Sequence, residues 1–265
     1  MNNETLKQLA YQAGADLVGV VPYDRWADWP AESNPLTLMP ACRSVVVVGC
    51  RILRGTFRGV EEGTNFNSTY GTYGAGYMER VFMPKTVQEI AAAIEREGSE
   101  ALPMVGGTAP GSAVRLDTKA LAHAAGLGMI GKGGFFLTPK YGHRQRLALI
   151  LTDLELAGDS IYDVDLCEGC DACLRACPLQ AISDNGSPHF TIDTKLCELC
   201  ANGKFKIEPG DYEPLDRMPA SCGRACLVAL EEKISNRFAA PFRRRAVWTR
   251  DVHGKYTVTP LTPNA

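Results

Sequence analysis

Residues 167–182 read CEGCDACLRACPLQAI, with cysteines at 167, 170, 173 and 177 and Pro178 directly after the last. So many thiols in so short a stretch pack badly as a core and well around metal. The spacing is that of the iron–sulfur run C-x2-C-x2-C-x3-C-P, in which three thiolates on a tight loop reach three corners of one cubane. The fourth, a turn further on, points away and ligates another cluster. Zinc is the competing metal, but structural zinc sites use pairs of C-x2-C rather than this run. The segment therefore predicts a loop carrying a 4Fe–4S cluster, and it demands more thiols downstream.

They are present. Cys197 and Cys200 form C-x2-C, and Cys222 and Cys226 form C-x3-C. Together they read as the same run with a long insertion, with Leu227 where proline would stand. Two-cluster logic assigns Cys167, Cys170, Cys173 and Cys226 to one 4Fe–4S cluster, and Cys197, Cys200, Cys222 and Cys177 to the other. A single cluster beside a separate zinc site is the alternative. Of the ten cysteines, only Cys42 and Cys50 lie outside this region; they bracket a β-branched run and read as small buried residues.

The N-terminus opens polar, without a basic n-region, a twin arginine or a small-residue cleavage site, so the cytoplasm is the expected location. Disulfides are disfavoured there, which again directs clustered thiols to metal. No apolar run approaches the ~20 residues that span a bilayer. The formal charge of −2 gives no pull toward nucleic acid or acidic membrane, and neither partner is expected.

Upstream, the chain of 265 residues has room for a real hydrophobic core. Helical spacing runs from Leu6 to Ala13, over residues 85–97, and from Asp117 to Ala125, where Gly126 stops it. Apolar or β-branched runs at 17–21, 44–50 and 147–152 predict strands. Residues 22–40 read as a surface connection, and 54–76 as a long aperiodic loop of the kind that carries function. The expected division is a domain over 1–158, a cluster domain over 159–235 and a tail over 236–265. Arg243, Arg244 and Arg245 in that tail read as a solvated face.

One upstream stretch carries chemistry. After Gly126 come Gly128, Gly131, Gly133 and Gly134, enclosing Lys132. Their backbone can approach a ligand closely, with amides facing an anionic or carbonyl-rich group. A tight helix-to-strand connection is the plainer reading. His123 lies on the preceding helix, either as a cofactor contact or as an ordinary helix-face residue. His143, with Arg144 and Arg146 beside the Tyr141-Gly142 turn, reads as a cofactor contact or a solvated basic turn.

The segments AGLGMIGK, PKYG and LTDLEL, followed by the four-cysteine run, resemble the epoxyqueuosine reductases and corrinoid reductive dehalogenases in order and spacing. LKQLAYQAGADLVGVVP and MPACRSVVVVG also look like the start of that family. The resemblance covers roughly residues 1–230 and is most specific over 119–178. It implies an α+β architecture: a nitroreductase-like, cobalamin-binding α/β domain joined to a ferredoxin-like domain with two 4Fe–4S clusters. It also implies base-off cobalamin, one cluster near enough to reduce its cobalt, and a pocket lined by Gly126, Gly128, Gly131, Lys132, Tyr141 and Gly142.

The chain departs from the pattern where an acid is needed. Where epoxyqueuosine reductases carry an aspartate in D-S-A-P, this chain has Gly107-Thr108-Ala109-Pro110, and a gapless count lands on Ser112. Asp117 is the nearby carboxylate, though its place suits a helix cap. In the dehalogenases the acid is a tyrosine, for which Tyr70, Tyr73 and Tyr77 are candidates. The C-terminal helical repeats that help many relatives hold transfer RNA are not seen. The resulting expectation is a cytoplasmic iron–sulfur oxidoreductase. It takes electrons from a low-potential donor of ferredoxin or flavodoxin type and passes them through two clusters to a corrinoid, for reductive chemistry on a small substrate. The alternative is an electron-transfer protein that reduces a partner, such as a corrinoid protein, with no small substrate of its own.

Overall fold

The computed structural model describes residues 1–59, 69–106, 113–203, 215–237, 246–250 and 255–261. The segment Gly107 to Ser112, where the family's aspartate was sought, and Arg243 to Arg245 lie outside the described residues. The chain forms two compact units, neither of them continuous in sequence. One comprises Met1–Arg51, Tyr77–Ile130 and Gln145–Val164; the other comprises Ile52–Gly76, Gly131–Arg144 and Asp165–Ala265. The chain passes between the units after Arg51, Gly76, Ile130, Arg144 and Val164.

The first unit is built on a four-stranded antiparallel sheet. Its strands are β1 (Leu17–Pro22), β2 (Ser44–Arg51), β3 (Ala101–Val105) and β4 (Gln145–Thr152), in the order β1-β2-β4-β3. Val47 pairs with Gly19 on one side and Leu149 on the other, so β2 is central. All of β2 except Arg51 is buried, which is why its sequence runs as continuous Val rather than alternating. Cys42 and Cys50 are buried, and burial pushes both thiols up to about 11. They are inert core residues, as expected.

Two helices cover this sheet. Helix α1 (Asn3–Gln12) starts where the Asn2 side chain accepts from the Thr5 amide at 2.9 Å, and it buries Leu6 and Ala10. Helix α2 (Met83–Arg96) has Pro84 in its first turn and buries Met83, Val87, Ile90, Ala91 and Ile94 at helical spacing. Together with Val18, Val20, Val46, Val48, Ala148 and Ile150 these side chains form the core. Each fully buried Val or Ile contributes about 1.5–3 kcal/mol. Residues beyond β4 are pinned back by Asp159, whose carboxylate accepts from the Val20 amide at 2.9 Å and pairs with Lys7.

Some segments add to their sequence expectation. Residues 22–40 form a surface connection with internal anchors: Trp26 is buried, and the Asn34 amide donates to the carbonyls of Ala27 at 3.1 Å and Trp29 at 3.0 Å. Gly-rich Tyr70–Gly76 and the following Met78–Phe82 form wide π-type turns leading into α2. Such turns have no sequence period to announce them. The C-terminal tail contains an antiparallel ladder, β5 (Ala246–Arg250) with β6 (Tyr256–Pro260). Among the described residues, no helix is long and apolar enough to cross a membrane.

Candidate metal centre

The second unit has little regular structure, and its architecture follows the cysteines. Helix α3 (Thr118–Ala124) belongs to the first unit; α4 (Ala172–Arg175), α5 (Thr194–Glu198) and α6 (Ser221–Leu230) belong to the second. Cys167 opens a turn in which the Cys170 amide donates to the Cys167 carbonyl at 2.9 Å, with Gly169 at φ +65°. The Asp165 carboxylate fixes the start by accepting from the Cys167 amide at 2.7 Å. Cys173 follows on α4, and Cys177 lies just past its end. In the later run, Asp193 caps α5 by accepting from the Leu196 amide at 3.0 Å, and the Cys200 amide donates to the Cys197 carbonyl at 3.0 Å. Cys222 and Cys226 sit one turn apart on α6.

The structure gathers these eight thiols into two groups. Cys167, Cys170, Cys173 and Cys226 line a hollow of about 350 Å³. Cys177, Cys197, Cys200 and Cys222 line another of about 330 Å³. Each run thus sends its last cysteine to the other run's hollow, the grouping that two-cluster spacing predicts. Among the described residues, no three Cys, His, Asp or Glu side chains converge on a point fit for one ion.

Burial first, then neighbouring Cys167, Cys222 and Cys170, raises the Cys173 thiol to about 11. Cys226 is pushed well up by burial and then by Cys173, Cys167 and Cys170. Burial also raises Cys167, Cys197 and Cys222. Crowded thiols of this kind ionise together when a bound cation offsets their charge.

The glycine turn meets the first hollow. A Cβ on Gly131 would lie 3.0 Å from the Cys167 sulfur, and one on Gly133 would lie 2.7 Å from the Cys173 sulfur. The Lys132 backbone N–H donates toward the Cys167 sulfur. Gly131, Lys132 and Gly133 therefore wall the thiol hollow. Gly126 has another duty: at φ +73° it ends α3, and a Cβ there would stand 2.0 Å from the Ser160 carbonyl oxygen. Gly128 offers its carbonyl to His123 Nδ1 at 2.8 Å, which makes His123 a brace for the turn. Tyr141 is buried in the second unit, and Gly142 backs onto Leu230 and Ile234.

None of the acid candidates lines either thiol hollow. Asp117 caps α3, accepting from the Lys119 amide at 2.9 Å and the Ala120 amide at 3.0 Å. Tyr73 and Tyr77 are exposed. Tyr70 is fully buried and donates to Asp216 at 2.5 Å. The basic turn expected at 143–146 is not solvated at its start. His143 is buried, donates from Nε2 to the Gly223 carbonyl at 2.8 Å, and stacks on Phe135 with centroids 5.2 Å apart. Burial lowers it to about 4. Arg144 is also buried and donates to the Ile52 carbonyl at 3.1 Å and the Asn236 carbonyl at 2.7 Å. Phe135 and Arg217, which line the first and second hollow respectively, escape sequence analysis because one aromatic and one arginine carry no pattern.

Residues 160–183 match the family described as 4Fe-4S binding domain. A tetrachloroethene reductive dehalogenase of Desulfitobacterium hafniense is 27% identical over 99% of this chain and 52% of its own. An epoxyqueuosine reductase of Synechocystis sp. is 30% identical over 65% of this chain and 55% of its own. The chain is a relative of both groups. It spans about half the length of these curated relatives. Its fold is theirs as well: a solved reductive dehalogenase, whose structure is described as suggesting a mechanism for B12-dependent dehalogenation, superposes with TM-score 0.61 at 19% identity, over 87% of this chain and 33% of that one.

Proposed function

We propose that the protein is an iron–sulfur reductase with two 4Fe–4S clusters, one in each thiol hollow. The observation that carries this is the sorting of eight cysteines into two groups of four, each group drawing on both runs. Bound, each cluster supplies a one-electron carrier. The chain's own part is to hold and shield it. Gly131 and Gly133 close the wall of the first hollow without a side chain, and buried Leu227 and Leu230 keep α6 in place. The Ala181 amide donates to the Cys177 sulfur at 3.3 Å, a contact that favours the thiolate.

A corrinoid as the electron acceptor, with cytoplasmic location and an external low-potential donor, completes the proposal. Its support is the likeness to a dehalogenase described as B12-dependent. The glycines do not supply it, because Gly126, Gly131 and Gly142 each answer to packing within their own unit. A bound corrinoid would supply two-electron reductive chemistry; no residue is assigned to it here. Anaerobic reconstitution with iron and sulfide should load about 8 iron atoms per chain, as two 4Fe–4S clusters require. Added cobalamin should then remain with the protein through gel filtration. Iron near half that level rejects the two-cluster reading, and loss of cobalamin rejects the corrinoid part alone.

The second reading, an electron-transfer protein serving a partner, is favoured by one observation. Asp117 is committed to its helix cap, Tyr73 and Tyr77 are exposed, and buried Tyr70 donates to Asp216, so none of the named acids lines either thiol hollow. Full cluster loading with no corrinoid retained supports this reading.

A further inference from the structure

We propose that Arg217 sets the reduction potential of the cluster held by Cys177, Cys197, Cys200 and Cys222 above that of its neighbour. The inference rests on the two-cluster reading and adds a difference between the clusters.

Arg217 lines the second hollow. Its Nη2 lies 4.0 Å from the Cys222 sulfur, with geometry for an N–H···S contact. The guanidinium lies over the Phe135 ring, 4.6 Å from its centroid, and Phe135 lines the first hollow. Arg217 Nε is buried without a hydrogen-bond partner, and among the described residues no carboxylate pairs with this side chain. The adjacent Asp216 is turned elsewhere, accepting from Tyr70 at 2.5 Å and from the Met218 amide at 3.0 Å. A cation without a carboxylate partner, held against one thiol set, is placed to meet an anion there.

A cluster with thiolate ligands is such an anion. One-electron reduction adds a negative charge to its core, the electron coming from the external donor, which is oxidised by one electron. A fixed guanidinium stabilises the reduced form more than the oxidised form, and an N–H···S contact acts in the same direction. Lys132 stands at the wall of the first hollow, but among the described residues its ammonium makes no contact with a thiol there of the kind Arg217 makes with Cys222. That asymmetry makes the two clusters unequal, so an electron entering at the first runs downhill to the second.

The test is a potential, read by electron paramagnetic resonance during anaerobic redox titration of the reconstituted full chain. Wild type should show two reduction steps. A Cys222→Ser variant, which changes one ligand of the second set, marks the signal belonging to that cluster. In Arg217→Gln that cluster's reduced-to-oxidised ratio at fixed potential should fall about tenfold, a shift of about 59 mV to more negative values. The other step should stay in place. Arg217→Lys, which keeps charge but loses the planar fork, should give a smaller shift of the same sign. A structural role alone would lower iron content without moving the midpoint of the clusters that remain. If Arg217→Gln does not load iron, Arg217→Lys decides. Unmoved midpoints in a fully loaded variant, or a shift confined to the first cluster, overturn the proposal. A single step in wild type overturns the two-cluster reading beneath it, and is told apart because no variant is needed to see it.

Discussion

The two units hold together by different means. The sheet unit buries a run of valines on β2 between two strands and packs α1 and α2 over them. The cysteine unit has short helices, two-residue strands and a small apolar cluster around Ile52, Phe57, Tyr70 and Leu227. Area burial sustains the first. The second relies on crowded thiols that are raised in pKa and reach their low-energy state around metal. The contrast teaches where each kind of damage should fall.

Metal removal should break it most visibly. Chelation of reduced, reconstituted protein should strip iron and free the amides of 165–203 and 221–237 to hydrogen exchange. The amides of β2 and β4 should stay protected. Exchange read by mass spectrometry checks this, and uniform loss across both units would contradict the division.

The reverse damage is Ile90→Ala. Ile90 is 1% exposed on the buried face of α2, so truncation should cost about 2–5 kcal/mol. Exchange should quicken in β2 and β4 while iron content holds. A change in iron content at full sheet protection would mean that Ile90 serves the cluster unit instead.

Acid should act on the cysteine unit through His143. Its pKa in the folded chain, about 4, lies below the ordinary 6.5, because burial disfavours the charged ring. The unfolded chain therefore binds the extra proton first, and stability contributed by neutral His143 is present above pH 6.5 and lost as pH falls toward 4. The loss should reach about 3 kcal/mol. His143→Phe should flatten that slope in the exchange of α6, where Gly223 receives the ring.

Legibility divided along the same line. Most of the sheet unit announced itself by pattern: a β-branched run for β2, an apolar run for β4 and helical spacing for α1 and α2, while β3, with Pro103 at its centre, did not. The thiol grouping was also legible, because Cys222 and Cys226 stand one helical turn apart and the 167–177 spacing dictates which thiol crosses. What escaped depends on contacts between distant residues. Gly131 and Gly133 read either as a ligand-approaching turn or as a tight connection, and their neighbours are sulfurs some 35–40 residues downstream, which no local pattern records. His143 and Arg144 read as a cofactor contact or as a solvated turn, the latter because charge is ordinarily exposed. Their burial depends on carbonyls of Gly223, Ile52 and Asn236, and these become adjacent only on folding.

The smallest effect tests whether Asp117 belongs to the sheet unit's architecture or to chemistry. Its carboxylate accepts from the Lys119 and Ala120 amides at the start of α3, the work of an N-cap. Asp117→Ala should lower the protection of α3 by about 1 kcal/mol. Asp117→Asn keeps a side-chain oxygen in the same place, so it should preserve that protection. A proton donor would behave the other way: Asn would abolish turnover as fully as Ala, while both left the helix alone. Equal protection in Asp117→Ala and wild type would remove the capping role and return Asp117 to the list of acids, moving one residue from scaffold to site.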